Sequence, residues 1–223
     1  MSFRLFLEAI IKYLFGVIIV GALIFIPAGT IDYFNGWLFM GVLFIPMFVA
    51  GIVMMIKSPE LLKRRLNAKE KEKEQKEVIK FSGLMFIVGF IVAGLNYRYS
   101  WIVLPQCVTI IASVIFLIAY ILYAEVLREN QTLLRTIEVV KDQKVVDTGL
   151  YGIVRHPMYA VTVLLFLAMP LILGSVISFC IFLIYPFIIA KRIKNEEEVL
   201  EKDLKGYTEY KKKVKYKMIP FVW

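Results

Sequence analysis

Long apolar stretches decide what this chain can fold into. About Ile10 to Ile31, Trp37 to Ile56, Phe81 to Tyr97 and Trp101 to Tyr123 form blocks separated by polar segments. A helix needs roughly 20 apolar residues to cross a bilayer, and only helices or closed barrels satisfy their backbone there. About Tyr159 to Ala190 is one unbroken apolar run, too long for a single ordinary crossing. Pro170 and Gly174-Ser175 punctuate its middle, which splits it into two short helices, Pro157–Leu173 and Ser175–Ala190. The expected fold is all-α: a polytopic helical membrane protein of about six transmembrane helices with a C-terminal helical hairpin.

Polar segments divide the chain into three regions. Residues 1–56 form an N-terminal transmembrane hairpin, turned at Asp32-Tyr33-Phe34-Asn35-Gly36, where Asn and Gly supply the turn chemistry. Residues 57–80 read as a charged surface helix. It starts at Ser58-Pro59-Glu60, makes apolar contacts through Leu61, Leu62 and Leu66, and carries a solvated Lys/Glu run. Residues 81–223 hold the remaining spans, a polar segment at 124–158 and a charged tail. Glu125 to Arg135 continues the fourth helix, and Glu138 to Val146 reads as two short extended pieces.

The charge is distributed to match. Lys and Arg concentrate in 57–80, 124–158 and the tail after Ala190, whereas the opposite turns carry Asp32 and Arg98. The positive-inside rule then puts both termini and the basic segments in the cytoplasm of a multi-pass protein, in the plasma or inner membrane if the source is prokaryotic. The net charge of +9 belongs to these membrane flanks, so no nucleic-acid partner is expected. Cys107 and Cys180 fall inside apolar blocks and read as buried thiols, with no disulfide or metal-ligand spacing. The first block is too long for a removable signal peptide and lacks its cleavage site.

One loop stands out: Gly149-Leu150-Tyr151-Gly152-Ile153-Val154-Arg155-His156-Pro157-Met158-Tyr159. It holds the one histidine of the chain, where polar sequence meets the hairpin. Pro157 turns His156 away from helical geometry and itself suits the first position of a helix. The N–H groups of that helix start favour an anion. A juxtamembrane anchor of Arg and Tyr accounts for these residue types equally well.

A second constellation opens the tail at Lys191-Arg192-Ile193-Lys194-Asn195-Glu196-Glu197. Arg192 and Glu196 share a helix face at the membrane boundary, while Glu196 and Glu197 point to different partners. An Arg fork suits a carboxylate or phosphate. Spacing alone favours a snorkelling Arg and a solvated acidic turn.

Taken together, Gly-Leu-Tyr-x-x-x-Arg-His-Pro-x-Tyr at 149–159, Arg-x-x-x-Glu-Glu at 192–197 and Gly-Tyr-x-x-Tyr…Pro at 206–220 resemble the isoprenylcysteine carboxyl methyltransferase family and its phospholipid methyltransferase relatives. The resemblance covers roughly residues 120–223. It implies S-adenosylmethionine as cofactor, bound without a Rossmann domain in a cytoplasmic lobe. It also implies roles for particular residues. Gln143, Lys144, Val145 and Val146 frame the cofactor; Tyr151, His156, Pro157, Met158, Tyr159, Glu196 and Glu197 contact it. Arg192 faces the substrate and, with Glu196, forms the catalytic pair. Here Gly206 directly precedes Tyr207, a departure from the family's spacing at the pocket edge near Leu204–Tyr207.

The implied activity is methyl transfer to a carboxylate on a lipophilic or isoprenoid-bearing substrate that arrives from the bilayer, with no metal. A phospholipid amine or a small thiol is the alternative acceptor. A sterol-reductase-type NADPH enzyme shares Arg-His-Pro-x-Tyr, but Ala160–Met169 is almost wholly apolar where such enzymes carry polar residues. A non-enzymatic scaffold is opposed by the intact Arg192, Glu196 and His156 set.

Overall fold

In a computed structural model the described residues are 3–66, 73–130 and 143–223, and among them the regular structure is helical. The N-terminal hairpin is α1 (Phe3–Ala28) and α2 (Phe34–Lys57). A short α3 (Pro59–Leu66) follows, then α4 (Lys73–Tyr99) and α5 (Gln106–Glu129). A 3-10 turn at Gly149–Gly152 leads into α6 (Pro157–Ile172). α7 (Val176–Phe182), α8 (Tyr185–Asp203) and α9 (Tyr207–Lys213) complete the chain.

Five segments are long and apolar enough to cross a membrane: four of the helices before the loop and the α7–α8 run, Val176–Asp203. α6 is shorter, 16 residues, or about 24 Å against a hydrocarbon core of roughly 30 Å. The outer surface confirms the class. Ile18, Ile26, Ile45, Ile121 and Phe187 are exposed, where a water-soluble domain would place polar groups.

Several boundaries differ from the sequence reading. Residues 73–80 do not belong to a separate surface helix; they run without a break into the third span. Trp101–Leu104 lies outside any helix, and Pro105 caps α5 rather than sitting within it. The fourth helix ends at Glu129, because Asn130 leaves helical geometry (φ −119°, ψ 83°), so the expected continuation to Arg135 stops there or falls outside the described residues. The extended pieces expected from Glu138 also lie partly outside them; 143–147 is irregular. The long apolar run divides where expected. Ser175 caps α7 through a bond from the Ser178 N–H, and Pro186 starts α8 in the first helical turn. Cys107 and Cys180 are exposed free thiols on outward helix faces, not buried ones.

Packing fixes the two ends of the bundle separately. α4 lies so close to α1 that a Cβ on Gly94 would stand 2.5 Å from the Ile24 carbonyl oxygen. Phe39, Phe86, Phe90, Phe116, Phe166 and Phe182 form an aromatic seam through the middle. At one end the turns are bonded together: Tyr33 donates to the Leu173 carbonyl, Tyr97 to the Asp32 carbonyl, and Asn35 Nδ2 to Thr109 Oγ1 at 3.3 Å. The opposite end, where α6 begins and α8 leaves its apolar half, carries the motif residues.

Candidate active site

Arg155 and Glu197 meet at the centre of this end. Arg155 Nε donates to Glu197 Oε1 at 2.7 Å, and His156 Nε2 lies 3.2 Å from the same oxygen. All three residues are 5–6% exposed. Buried charge must be paired and hydrogen-bonded to persist. Arg155 meets that demand by also donating from Nη1 to the Val214 and Lys215 carbonyls at 2.8 and 2.7 Å. The Arg155 and His156 N–H groups donate to the Tyr216 and Lys217 carbonyls. Lys217 and Lys211 stand 3.6 and 3.9 Å from Glu197 Oε2. The loop before α6 is thereby stitched to the C-terminal tail. Two of the N–H groups read from the sequence as anion donors are already used: Tyr159 and Ala160 donate to the His156 carbonyl.

A second set lies alongside. Tyr159 donates to Glu196 Oε2 at 2.5 Å, and Arg192 Nε donates to the Tyr159 hydroxyl at 2.8 Å. The Arg192 guanidinium carbon is 5.8 Å from the Tyr159 ring centroid. The His156 and Tyr159 rings stack at 5.7 Å, which joins the two sets. One helical turn on, Thr162 Oγ1 donates to the Tyr159 carbonyl and accepts from the Tyr185 hydroxyl. Arg192 and Glu196 share a face of α8 as expected, and Glu197 faces elsewhere.

The 3-10 turn is positioned from α5. Both Glu129 carboxylate oxygens accept from the Leu150 N–H, at 3.1 and 3.0 Å. Gly149 has φ +53°, and a Cβ there would lie 1.5 Å from Glu129 Oε1, so only glycine fits. Tyr151 is buried; its hydroxyl accepts from Asn130 Nδ2 at 3.3 Å and its carbonyl accepts from the Tyr210 hydroxyl at 2.7 Å.

The remaining candidates sit around these sets. Pro157 is buried at the first position of α6, and Met158 packs on the core. Val146 joins the same core, whereas Val145 packs on a small cluster of Leu200, Leu204, Tyr207, Tyr210 and Val214. Lys144 is exposed; Gln143 is half-buried and partnered. Within that small cluster Tyr207 is 3% exposed, and its hydroxyl has no hydrogen-bond partner, alone among buried side-chain polar atoms of the described residues. Burial, and then the Glu197 and Glu196 charges, push its ionisation far up, so it remains a neutral donor.

Residues 104–205 match a phospholipid methyltransferase family model. Over that segment, somewhat under half of its length, the chain is similar to the phospholipid methyltransferases. No curated protein matches the chain. The matched segment runs from just before α5 to just after α8, so it contains Arg155, His156, Tyr159, Arg192, Glu196 and Glu197. α1–α4, the orphan Tyr207 and the tail carbonyls that hold Arg155 lie outside it. Arg155, Glu129 and those carbonyls are the structural members that motif spacing did not reveal. The hint for Arg155 was its place directly before His-Pro, where a buried cation requires a carboxylate.

Proposed function

We propose that the chain is an S-adenosylmethionine-dependent methyltransferase acting on a lipophilic substrate drawn from the bilayer. The reading is carried by the Arg192–Tyr159–Glu196 hydrogen-bond chain at the open end of the hairpin. Bound there, the cofactor supplies a methyl carbon made electrophilic by a sulfonium. The chain's own residues are left to bind, align and exclude water.

The residues present suit that cofactor. Glu196 offers a carboxylate to a cationic or hydroxylic group. Tyr207 supplies a buried donor that no protein atom satisfies, and such an atom needs a partner. Val145, Val146, Met158 and the stacked His156 and Tyr159 rings offer apolar and aromatic walls. His156 is committed to Glu197, so its part is to hold the wall in place.

Arg192 orients the substrate's anionic group. Its Nε is held by Tyr159, which fixes the plane of the fork. With a carboxylate acceptor the nucleophile is already ionised at neutral pH, and a bidentate guanidinium contact aims it. The second reading, N-methylation of a phospholipid amine, is favoured by the description of the matched family. An ammonium acceptor must first lose a proton, and the Glu196 carboxylate is the base on this face. We place the site on the cytoplasmic side, where the cofactor is; the basic segments at this end support that reading through the positive-inside rule.

The test is incubation of purified protein with methyl-labelled S-adenosylmethionine and a membrane lipid extract. The expected result is label in a lipid product, identified by mass spectrometry. Binding of a reduced nicotinamide cofactor without labelled product would instead support the reductase reading.

A further inference from the structure

The chain after α9 forms a strap across the start of α6. The Arg155 and His156 N–H groups donate to its Tyr216 and Lys217 carbonyls at 2.9 and 2.8 Å. The next residue, Met218, is buried in the main core. His156 directly precedes α6, whose residues are almost all apolar from there on. The pairing therefore sets the strap at the level where the bundle meets lipid.

Beyond Met218 the strap closes on itself. The Trp223 main-chain oxygen accepts from the Lys217, Met218 and Ile219 N–H groups at 2.9, 3.0 and 3.0 Å, and the Trp223 N–H donates to the Ile219 carbonyl at 3.0 Å. Lys217 Nζ lies 5.1 Å from the Trp223 ring centroid and 3.6 Å from Glu197 Oε2. This closure holds Phe221 at φ +64°, a conformation that bulky side chains rarely adopt. The result faces outward: Phe221 is 86% exposed and Val222 75%.

Charge sits directly beside these apolar groups. Residues 211–217 hold five lysines and no acid. Lys211 and Lys217 stand near Glu197, and Lys213 pairs with Asp147. Lys212 and Lys215 are exposed. Outward apolar side chains next to cations, at the height of a bilayer boundary, match the two layers of one leaflet: hydrocarbon for the first, anionic headgroups for the second.

We propose that the strap is a docking surface for anionic phospholipid of the surrounding membrane. Phe221 and Val222 enter the leaflet, Lys212 and Lys215 hold headgroup phosphates, and the Tyr216 and Lys217 carbonyls pass the contact to Arg155 and His156. A leaflet that steadies the strap thereby steadies the loop that carries the candidate site. The inference stands without the methyltransferase reading, and its test uses no cofactor.

The experiment places the full chain in nanodiscs of phosphatidylcholine, alone or with phosphatidylglycerol admixed. Trp37→Phe and Trp101→Phe leave Trp223 as the one tryptophan. Its fluorescence is expected to be quenched by lipids brominated near the headgroup end of their chains. Hydrogen exchange in the unmodified protein is the second readout, and it needs no tryptophan replacement. Peptides spanning Arg155 and His156 are expected to exchange about fivefold more slowly with phosphatidylglycerol present, the low end of a coupling between two sites. Phe221→Ser with Val222→Ser loses both effects. Lys212→Gln with Lys215→Gln keeps the quenching and loses the phosphatidylglycerol dependence. Lys57→Gln, at the exposed end of α2, matches wild type. Unquenched Trp223 overturns the insertion, and equal exchange in the two lipids overturns the headgroup contact. An equal loss in Lys57→Gln also overturns it, since the effect would then be general surface charge.

Discussion

Glu197 Oε1 accepts from Arg155 Nε at 2.7 Å, and through this buried pair the loop before α6 is locked to the C-terminal tail. A buried ion pair contributes little net stability against an apolar replacement, but removing one partner strands the other charge, at about 3–5 kcal/mol. Glu197→Gln should therefore lower stability by about that amount, read as a fall in the thermal midpoint in detergent. Arg155→Met should cost a similar amount. A Glu197→Gln protein that melts with wild type would mean that the pair is not structural.

The neighbouring acid should behave in the opposite way. Glu196 is half-buried and accepts from Tyr159, outside the buried Arg155–Glu197 pair. Glu196→Gln is expected to leave the midpoint near wild type and to weaken S-adenosylhomocysteine binding about tenfold, the worth of one charge-assisted hydrogen bond. Calorimetry on both variants side by side separates the two carboxylates; equal affinity in Glu196→Gln would remove it from the cofactor pocket.

On the proposed reading Arg192 acts on the substrate rather than on the cofactor. Arg192→Ala should reduce turnover by about a hundredfold or more, the scale of losing alignment at the reacting atom, with cofactor affinity largely kept. Tyr159→Phe removes the hydroxyl that fixes Arg192 Nε and is expected to give a smaller fall in turnover. Undiminished turnover in Arg192→Ala would reject the orienting role.

At Gly149 the expectation is steric. Gly149→Ala places a methyl against the Glu129 carboxylate and strains a positive φ, which together should cost more than about 1 kcal/mol. Adding Glu129→Ala should relieve the clash but not the backbone strain. The double variant is therefore expected to stay below Glu129→Ala alone in its thermal midpoint.

The spans were legible because hydropathy is a local property. Their helical limits were not, for the same reason. Hydropathy marks where lipid begins at Phe81, but nothing between Lys73 and Phe81 stops a helix, so α4 starts well outside the apolar block. Conversely, Trp101–Leu104 is apolar enough to count as span yet precedes a proline that disfavours helix before it. On α8 the shared face of Arg192 and Glu196 followed from helical period alone. The Arg155 knot did not. Its backbone acceptors at Val214 and Lys215 are about 60 residues away in sequence and offer only main-chain oxygens, which leave no mark in residue type.

Titration of S-adenosylhomocysteine into the purified wild-type protein probes the central claim with the fewest assumptions about substrate. Saturable binding at about one equivalent, weakened in Glu196→Gln and kept in Arg192→Ala, is the predicted result. The absence of any binding to a folded, monodisperse wild-type protein would contradict it.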